Sequence, residues 1–576
     1  MAIEDTIQAI RTELPAAVER LKIIGRVGKK TGMHRALNWR GARLLARELA
    51  KGKQNPSLIF KFHAENSPHR IALITPHSLT GRGDLGAPAQ DRAFSFFELN
   101  ARIEAIGAAL TRLGIGPGTT VLFVLKNRPE FLMAQTAAGR VGAATVTASY
   151  RSTAPELEYL VKHSGTKVIF FDADIAATIR AFQGGPAALP ASHVIAVGGH
   201  VEGFPTIEDI CAGGSSAGAE DRSEESSVVM YTSGTTGKPK GAVRKIQKNA
   251  LATALAFIGE TPLEVGGTHL VVCPLYHATA FGFTGFTFLL GHSVIIMNEF
   301  RPELFLQAVE RYRVTSTAVV PTMLHRLLEV GPETIRRYDL SSLQAIFSGG
   351  APLSASLAAE VLDVLGDKLF NFYGATETGI VTVAGPDDLR ASPGTIGRPI
   401  PGVEIRLLDE TGREVPEGEV GELYVRSGML ISGYHADPDA TSKSMREGFF
   451  SVGDLARRDR RGCYLIEGRK RDMIISGGVN VYPAEVEGAL DAHPGVLEAA
   501  VVGVPDREWG ERVRAYVVMR PGARVNEDEL KAFCRGRLAG PKVPRDFVFM
   551  DALPKNPTGK VLKRELRDRA QAEGGK

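Results

Sequence analysis

The sequence predicts an α/β protein, with a large N-terminal region of packed sheets and helices followed by a small α+β C-terminal domain. Three observations predict it. The chain has 576 residues, more than one hydrophobic core usually organises. Short apolar runs alternate with helix-like stretches through most of its length, the pattern of mainly parallel sheets. After Gly468 the texture changes to shorter strands separated by charged turns, and about a hundred residues suffice for a separate small domain.

Taken in order, residues 1–55 form a basic helical extension. From Arg20 to Lys53 there are eleven Lys or Arg and one acid, Glu48. Two readings stand for the helix around Asn38 to Arg47: a solvated helix packed on the next domain, or one lying on an anionic membrane. Residues 56–468 form the large domain. Runs at 71–74, 120–125, 143–146, 168–171 and 194–197 read as buried strands, with helices at 97–113 and 130–139 between them. The Gly-, Ser- and acid-rich stretch 213–227 reads as a loop before another strand at 228–230. Residues 469–576 form the small domain, with strands at 497–502 and 513–519 and a helix at 527–538.

Bulk composition excludes several classes. Apolar residues make up 44% and charged residues 23%, and the net charge is only +4, so neither disorder nor nucleic-acid binding is expected. Cys211, Cys273, Cys463 and Cys534 are far apart with no C-x-x-C pair, which argues against a zinc site or a disulfide framework and fits a reducing cytoplasm. Glu4 and Asp5 do not suit a secretory signal. The most apolar run, 281–297, is broken by Gly282, Gly285, Gly291 and His292 and is too short for a bilayer span, so it reads as core.

The stretch with most chemical content is Tyr231-Thr232-Ser233-Gly234-Thr235-Thr236-Gly237-Lys238-Pro239-Lys240-Gly241, directly after the strand at 228–230. Glycines let backbone N–H groups approach an anion, hydroxyls add donors and lysines add charge, which together make a phosphate cradle. A merely flexible loop is the blander reading. It is not the common G-x-x-x-x-G-K-[ST] loop, since Thr232 and Pro239 stand where Gly and Ser or Thr are needed.

Further along come Ser348-Gly349-Gly350-Ala351-Pro352, Asn371-Phe372-Tyr373-Gly374-Ala375-Thr376-Glu377-Thr378, Ser451-Val452-Gly453-Asp454, Gly468-Arg469 and Pro557-Thr558-Gly559-Lys560. With the Tyr231–Gly241 loop, this ordered set resembles the adenylate-forming superfamily, specifically its acyl-CoA synthetase branch, and is most similar to long-chain fatty-acid–CoA ligases. The resemblance implies a two-domain fold whose small domain is mobile, with ATP, Mg2+ and coenzyme A as cofactors. It implies nucleotide contacts from Thr232, Ser233, Gly234, Thr235, Thr236, Gly237 and Lys238, from Gly349, Gly350, Ala351 and Pro352 along the adenine, and from Asn371, Tyr373, Gly374 and Thr376. It places Asp454 and Arg469 at the ribose, Glu377 with Thr232 at magnesium, and Lys560 as the catalytic lysine. His277, in Pro274-Leu275-Tyr276-His277-Ala278, reads as a gate or orienter near the acyl and pantetheine paths, against a satisfied core histidine. Gly477 and Gly478 match the turn brought to the site for the second half-reaction. Arg471 stands at the pivot, where resembling members often carry Lys or Asp.

These assignments suit the chemistry. Carboxylate attack on the α-phosphate brings two anions together, so charge must be neutralised and the reactants aligned. Magnesium needs only one or two protein carboxylates. Taken alone, Glu377 is equally a helix cap and Asp454 a turn residue. For the acid, Phe281, Phe283, Phe286 and Phe288 with Gly282 and Gly285 read as a wide apolar wall, equally natural as core. A medium- to very-long-chain fatty acid fits that wall and the basic extension. A fatty acyl-AMP ligase loading a carrier protein and an aryl-CoA ligase are the alternatives. The chain ends at Lys576 soon after Lys560, which favours a free-standing enzyme over a module followed by a carrier domain. A cytoplasmic protein with peripheral membrane contact is expected.

Overall fold

The computed structural model describes residues 25–50, 57–77, 91–212, 220–232, 240–245, 250–556 and 559–574. Its strands fall into three sheets. In the first, strands Ile71–Thr75, Ser293–Ile296, Thr268–Val271, Ser316–Val319, Ala345–Ser348 and Leu369–Ala375 are neighbours in that order and run parallel. Beyond Leu369–Ala375 the pairing turns antiparallel through Gly379–Ala384 and Thr395–Pro399 to Tyr464–Arg469 and Asp454–Arg458. The second sheet has a parallel centre, Ser227–Thr232, Ala144–Thr147, Thr120–Val124, Thr166–Asp172 and Val194–Val197.

These strands read as near-continuous Val, Ile, Phe and Ala because helices cover both faces. Phe123, Val124, Phe170 and Phe171 are fully buried, for example. The helices begin where local chemistry satisfies their first N–H groups. Ser95 with Glu98 forms a reciprocal capping box at Phe96–Arg112, and Thr153 with Glu156 does so at Ala154–Ser164. The predicted strands and helices of the large region therefore stand where the alternation placed them. The stretch 213–227 differs at its end: residues 223–225 make a short 3-10 turn and Ser227 already belongs to the next strand.

The third sheet is small: Val479–Val481, Ile474–Ser476, Gly510–Met519 and Val496–Asp506 are antiparallel, with Asp546–Phe549 added in parallel. Helices Pro483–Asp491 and Glu527–Arg535 contribute Val486, Leu490, Leu530 and Cys534 to one core. The C-terminal helix Lys563–Gly574 closes a second with Leu566 and Ala570 against Val502 and Tyr516. A mixed α/β architecture with a large N-terminal and a small C-terminal domain follows, as the sequence predicts. All four cysteines are free thiols. Among the described residues no helix is long and apolar enough to cross a membrane.

Candidate active site

Parallel strands leave loops at their carboxyl ends, where open α/β sheets bind ligands. Several of the sequence-predicted residues follow such ends, among them Gly349, Gly350 and Glu377. Ser348 ends its strand in register with Asn371, and the chain turns at Gly349 and Gly350. Gly350 has φ +79°, and a Cβ at Gly349 would collide with the ring of Phe372, so the turn needs glycine twice. Asn371 itself is buried in the sheet, its amide donating to the Thr395 carbonyl at 2.8 Å. It is not brought to the other polar groups.

Tyr373 is. Its hydroxyl donates to Asp454 Oδ2 at 2.6 Å, while Arg469 Nε lies 3.1 Å from Asp454 Oδ1. Asp454 and Arg469 face each other across an antiparallel pair, so one register fixes both. Burial, then the Asp454 carboxylate, raises the Tyr373 hydroxyl well above its ordinary pKa, so it acts as a hydrogen-bond donor.

Lys560 comes to this group from the small domain. Burial, then the Arg469 cation, lowers its pKa to about 8, while Asp454 opposes. Arg471 and Asp472 act on it in the same opposed way. The loop around Lys560 folds back on Asn556, which accepts from Lys560 N at 2.9 Å through its side chain and from Gly559 N at 2.9 Å through its carbonyl. Gly559, at φ +79°, lies so close to the large domain that a Cβ there would be 2.7 Å from Thr322 Oγ1. Lys555 and Lys563 flank the loop and pair with Glu498 and Glu487 at 2.5 and 2.7 Å. Arg471 is exposed beside Asp472, which accepts from Arg567 Nη1 at 2.8 Å. Pro557 and Thr558 lie outside the described residues.

Glu377 sits in the turn between strands Leu369–Ala375 and Gly379–Ala384 and is buried. Tyr434 donates to Glu377 Oε1 at 3.2 Å, and Arg244 Nη2 donates to the neighbouring Thr376 carbonyl at 2.7 Å. Among the described residues no three His, Cys, Asp or Glu cluster as a metal cage. A lone buried carboxylate at a phosphate site still fits Mg2+, whose remaining positions go to water and phosphate oxygens.

The strands on either side of the expected phosphate cradle, Ser227–Thr232 and Lys240–Lys245, form an antiparallel pair with Thr232 opposite Lys240, so no helix follows the loop. Ser233, Gly234, Thr235, Thr236, Gly237 and Lys238 lie outside the described residues, and of Thr232 only the backbone is described. Both strands are tied to the same neighbours. Tyr231 Oη lies 2.8 Å from His163 Nδ1, and His435 N donates to the Gly241 carbonyl at 2.7 Å. His435 Nε2 in turn donates to the His163 carbonyl at 3.0 Å. Lys240 pairs with Asp437 at 3.1 Å and lies over the Tyr434 ring.

Sequence reasoning missed Arg244, Tyr434, His163 and His435. Strand Gly433–Tyr434 joins the sheet beside Lys240–Lys245 from nearly two hundred residues away, and no local pattern announces that pairing.

His277 occupies the position before helix Ala278–Leu289. Its Nε2 is buried without a partner, and burial lowers its pKa to about 4, so the ring is neutral near pH 7. It stands near the glycine turn, where a Cβ on Gly350 would be 3.8 Å from Thr279 Oγ1. The expected aromatic wall is corrected in part. Phe283 packs in the core against Phe257, Phe347 and Phe372, and Phe288 against Phe60 and Phe96. Phe286 packs on Phe257. A helix has too few faces to line a pocket with all four rings. Only half-buried Phe281, with Gly282 and Gly285, lies on the face left open, and no atom lies within 4 Å of a Cβ built on either glycine.

The Gly477–Gly478 turn joins strands Ile474–Ser476 and Val479–Val481, with φ +59° and +78°. Gly477 N donates to the Trp509 carbonyl at 2.8 Å, and the flanking Ile475 and Val479 are exposed. The turn is thus held by its own sheet, while Lys560 lies within the electrostatic reach of Asp454 and Arg469.

Two family models match in the order of the two domains: an AMP-binding enzyme over residues 60–435 and an AMP-binding enzyme C-terminal domain over residues 485–560. A feruloyl-CoA synthase of Amycolatopsis sp is 37% identical, covering 87% of this chain and 98% of its own. A fatty acid–[acyl-carrier-protein] ligase, ScoC, of Streptomyces coeruleorubidus is 32% identical, covering 88% and 95%. Among solved structures, ATP-bound MatB from Rhodopseudomonas palustris is similar with a TM-score of 0.79 and 32% identity, over 90% of this chain and 99% of that one.

Proposed function

This chain belongs to the AMP-binding enzymes, and from that premise we propose that it activates a carboxylic acid with ATP as an acyl adenylate and then passes the acyl group to the thiol of coenzyme A. The observation that carries the reading is the meeting of Lys560, from the small domain, with the Tyr373–Asp454–Arg469 group of the large one. Asp454 accepts from the ribose hydroxyls, and Arg469 stands beside it. Ser233–Lys238 supply hydroxyls, backbone N–H groups and a lysine to the phosphates. Lys560 donates to the α-phosphate region as the acid's carboxylate attacks phosphorus and pyrophosphate leaves, supplying positive charge where negative charge builds up. Glu377, with Thr232, would hold Mg2+, which screens the phosphate oxygens.

For the second step the small domain, residues 469–576, turns about Arg471 relative to residues 56–468. Lys560 withdraws, and the Gly477–Gly478 turn comes to the site, where its missing side chains leave room for the pantetheine arm. The thiol attacks the acyl carbonyl and AMP leaves. His277, neutral and with an unpartnered Nε2, orients a group at the acyl end rather than taking a proton.

The acid is apolar in this reading. A medium- to very-long-chain fatty acid is supported by the open Gly282–Gly285 face, and an aryl acid by the 37% likeness to a feruloyl-CoA synthase. The likeness to a ligase that loads a carrier protein keeps that acceptor as the competing one. Pyrophosphate release with fatty acids of graded length and hydroxycinnamates, with and without coenzyme A, separates the readings. Release with one class of acid and conversion to its thioester establishes the ligase and its substrate. Adenylate that persists with coenzyme A present points to the carrier protein, and no release with any acid refutes the proposal.

A further inference from the structure

Helix Trp39–Ala50 resolves the two readings of the basic extension in an unexpected way. Its apolar side is already used. Gly41 is buried so closely against helix Leu58–Asn66 that a Cβ would be 2.5 Å from Asn66 Oδ1 and 2.9 Å from Phe62. Asn38 N donates to Asn66 Oδ1 at 2.8 Å, and Asn38 Oδ1 accepts from Gly41 N at 2.9 Å, which fixes the start of the helix on its neighbour. Leu44, Leu45 and Glu48 follow Gly41 on that side at helical spacing and are half-buried. The helix is therefore docked on the domain, as the blander reading holds.

What remains outside is not an ordinary solvated face. Arg40, Arg43 and Arg47 follow at i, i+3 and i+7, all exposed, so like charges stack along one side and repel. A solvated face usually mixes signs. The single acid, Glu48, is turned inward and pairs with Arg47 at 3.3 Å. At the head of this face stand Trp39, 67% exposed, and Leu37, 43% exposed. Lys29, Lys30, His34 and Arg35, just before them, are exposed as well. An indole and a leucine left in water beside a row of cations with a single carboxylate, Glu48, among them match the headgroup layer of an anionic bilayer, where Trp sits at the interface and Arg meets phosphate.

We propose that this face, Leu37, Trp39, Arg40, Arg43 and Arg47, docks the protein on an anionic lipid surface. The docked element is rigidly connected to the rest. Val27 packs in the core with Phe283 and Phe286, the Thr31 carbonyl accepts from Val265 N at 2.9 Å, and helix Leu58–Asn66 meets helix Ala278–Leu289 through Phe60 and Phe288. A bilayer on this face thus lies one helix away from the one whose Gly282–Gly285 side is open.

The test is co-sedimentation of the full chain with vesicles of phosphatidylcholine alone or with one-third phosphatidylglycerol, at low and at high salt. Partition into the anionic vesicles only, reversed by salt, is expected. Each Arg near such a surface contributes about fivefold, so Arg40→Gln with Arg43→Gln and Arg47→Gln lowers partition about a hundredfold. Circular dichroism of this variant should match the parent, since the three side chains are exposed. The protein has two tryptophans, Trp39 and Trp509, and a blue shift of emission on vesicle addition is expected in the parent and absent from Trp39→Ala. Equal partition into both vesicle types, no partition, or a triple variant that binds like the parent overturns the proposal. So does binding of a duplex oligonucleotide at the same salt without vesicle partition, which makes the face a nucleic-acid surface.

Discussion

In the proposed function, the position of Lys560 should make the first half-reaction sensitive to alkaline pH in a way the second is not. Burial and the nearby Arg469 bring its pKa to about 8 in the ligand-free protein. The ammonium form is the one that stabilises the developing charge, so activity is lost as pH rises through that value. With a pKa of about 8, roughly nine-tenths of the lysine is protonated at pH 7 and roughly one-tenth at pH 9. We predict that kcat/KM for ATP, which reports the free enzyme, falls about tenfold between those pH values. The decline in kcat should start at higher pH, because bound triphosphate adds negative charge beside the ammonium. Pyrophosphate release measures the first step, and thioester formation from supplied acyl adenylate measures the second. The second should not follow this titration, and Lys560→Ala should abolish the first step while sparing the second. Lys560→Arg should act more slowly, because its planar fork fits the lysine site poorly, but without the alkaline decline, since a guanidinium stays charged. A kcat/KM that stays flat to pH 9, or an arginine variant that declines like the parent, refutes the assignment.

Three further outcomes are expected. Tyr434→Phe removes the hydroxyl that donates to Glu377; one such bond to a charged group is worth about 1.5–3 kcal/mol, so adenylation should slow by at least about tenfold and need more magnesium, and an unchanged magnesium titration counts against the role of Glu377. Gly477→Ala places a Cβ 2.5 Å from the Trp509 ring at φ +59°, so thioester formation from supplied adenylate should fall while pyrophosphate release is kept, and equal loss of both argues that the turn serves folding alone. Acid should destabilise the protein: burial lowers His63 and His292 to about 4 and His269 to about 3, so the unfolded chain takes up protons there first, and stability present above pH 6.5 is lost as pH falls toward 4. From pH 7 to pH 5 each contributes a loss of about 2 kcal/mol, against which Asp491, raised to about 7 by burial and the nearby Glu487, gains a similar amount. Three histidines outweigh one aspartate, and denaturant titrations that show no drop in stability between the two pH values refute this.

What was legible in the sequence is what a local pattern can encode. The buried strands announced themselves through runs such as Val168 to Phe171, because a strand covered on both faces has no polar side to keep. The glycine turns were legible because Gly350 and Gly477 need a positive φ, and only local chemistry supplies it. The ordered motifs single out Tyr373, Asp454, Arg469 and Lys560 from sequence alone. Their meeting depends on pairings of high sequence separation: Asp454 opposite Arg469 is a hairpin register, but Tyr373 reaches Asp454 across eighty-one residues. The aromatic run at 281–288 misled because composition does not say which face of a helix looks inward. Four phenylalanines at positions 281, 283, 286 and 288 cannot share one face, and their spacing already held that information.

The same geometry explains why the site needs two domains at all. Arg469 and Lys560 are both cations drawn toward one carboxylate, Asp454, and the Arg469 guanidinium lowers the proton affinity of Lys560. A lysine held there permanently would be poorly protonated at alkaline pH and would stand in the way of a thiol. Carrying it on a small domain, on a loop clamped between Lys555–Glu498 and Lys563–Glu487 and set against Thr322 at Gly559, which has no side chain, keeps the loop rigid and its attachment at that point slight. Rigidity places the ammonium for the first step. The slight attachment lets it leave for the second, which a larger side chain at position 559 would obstruct by colliding with Thr322.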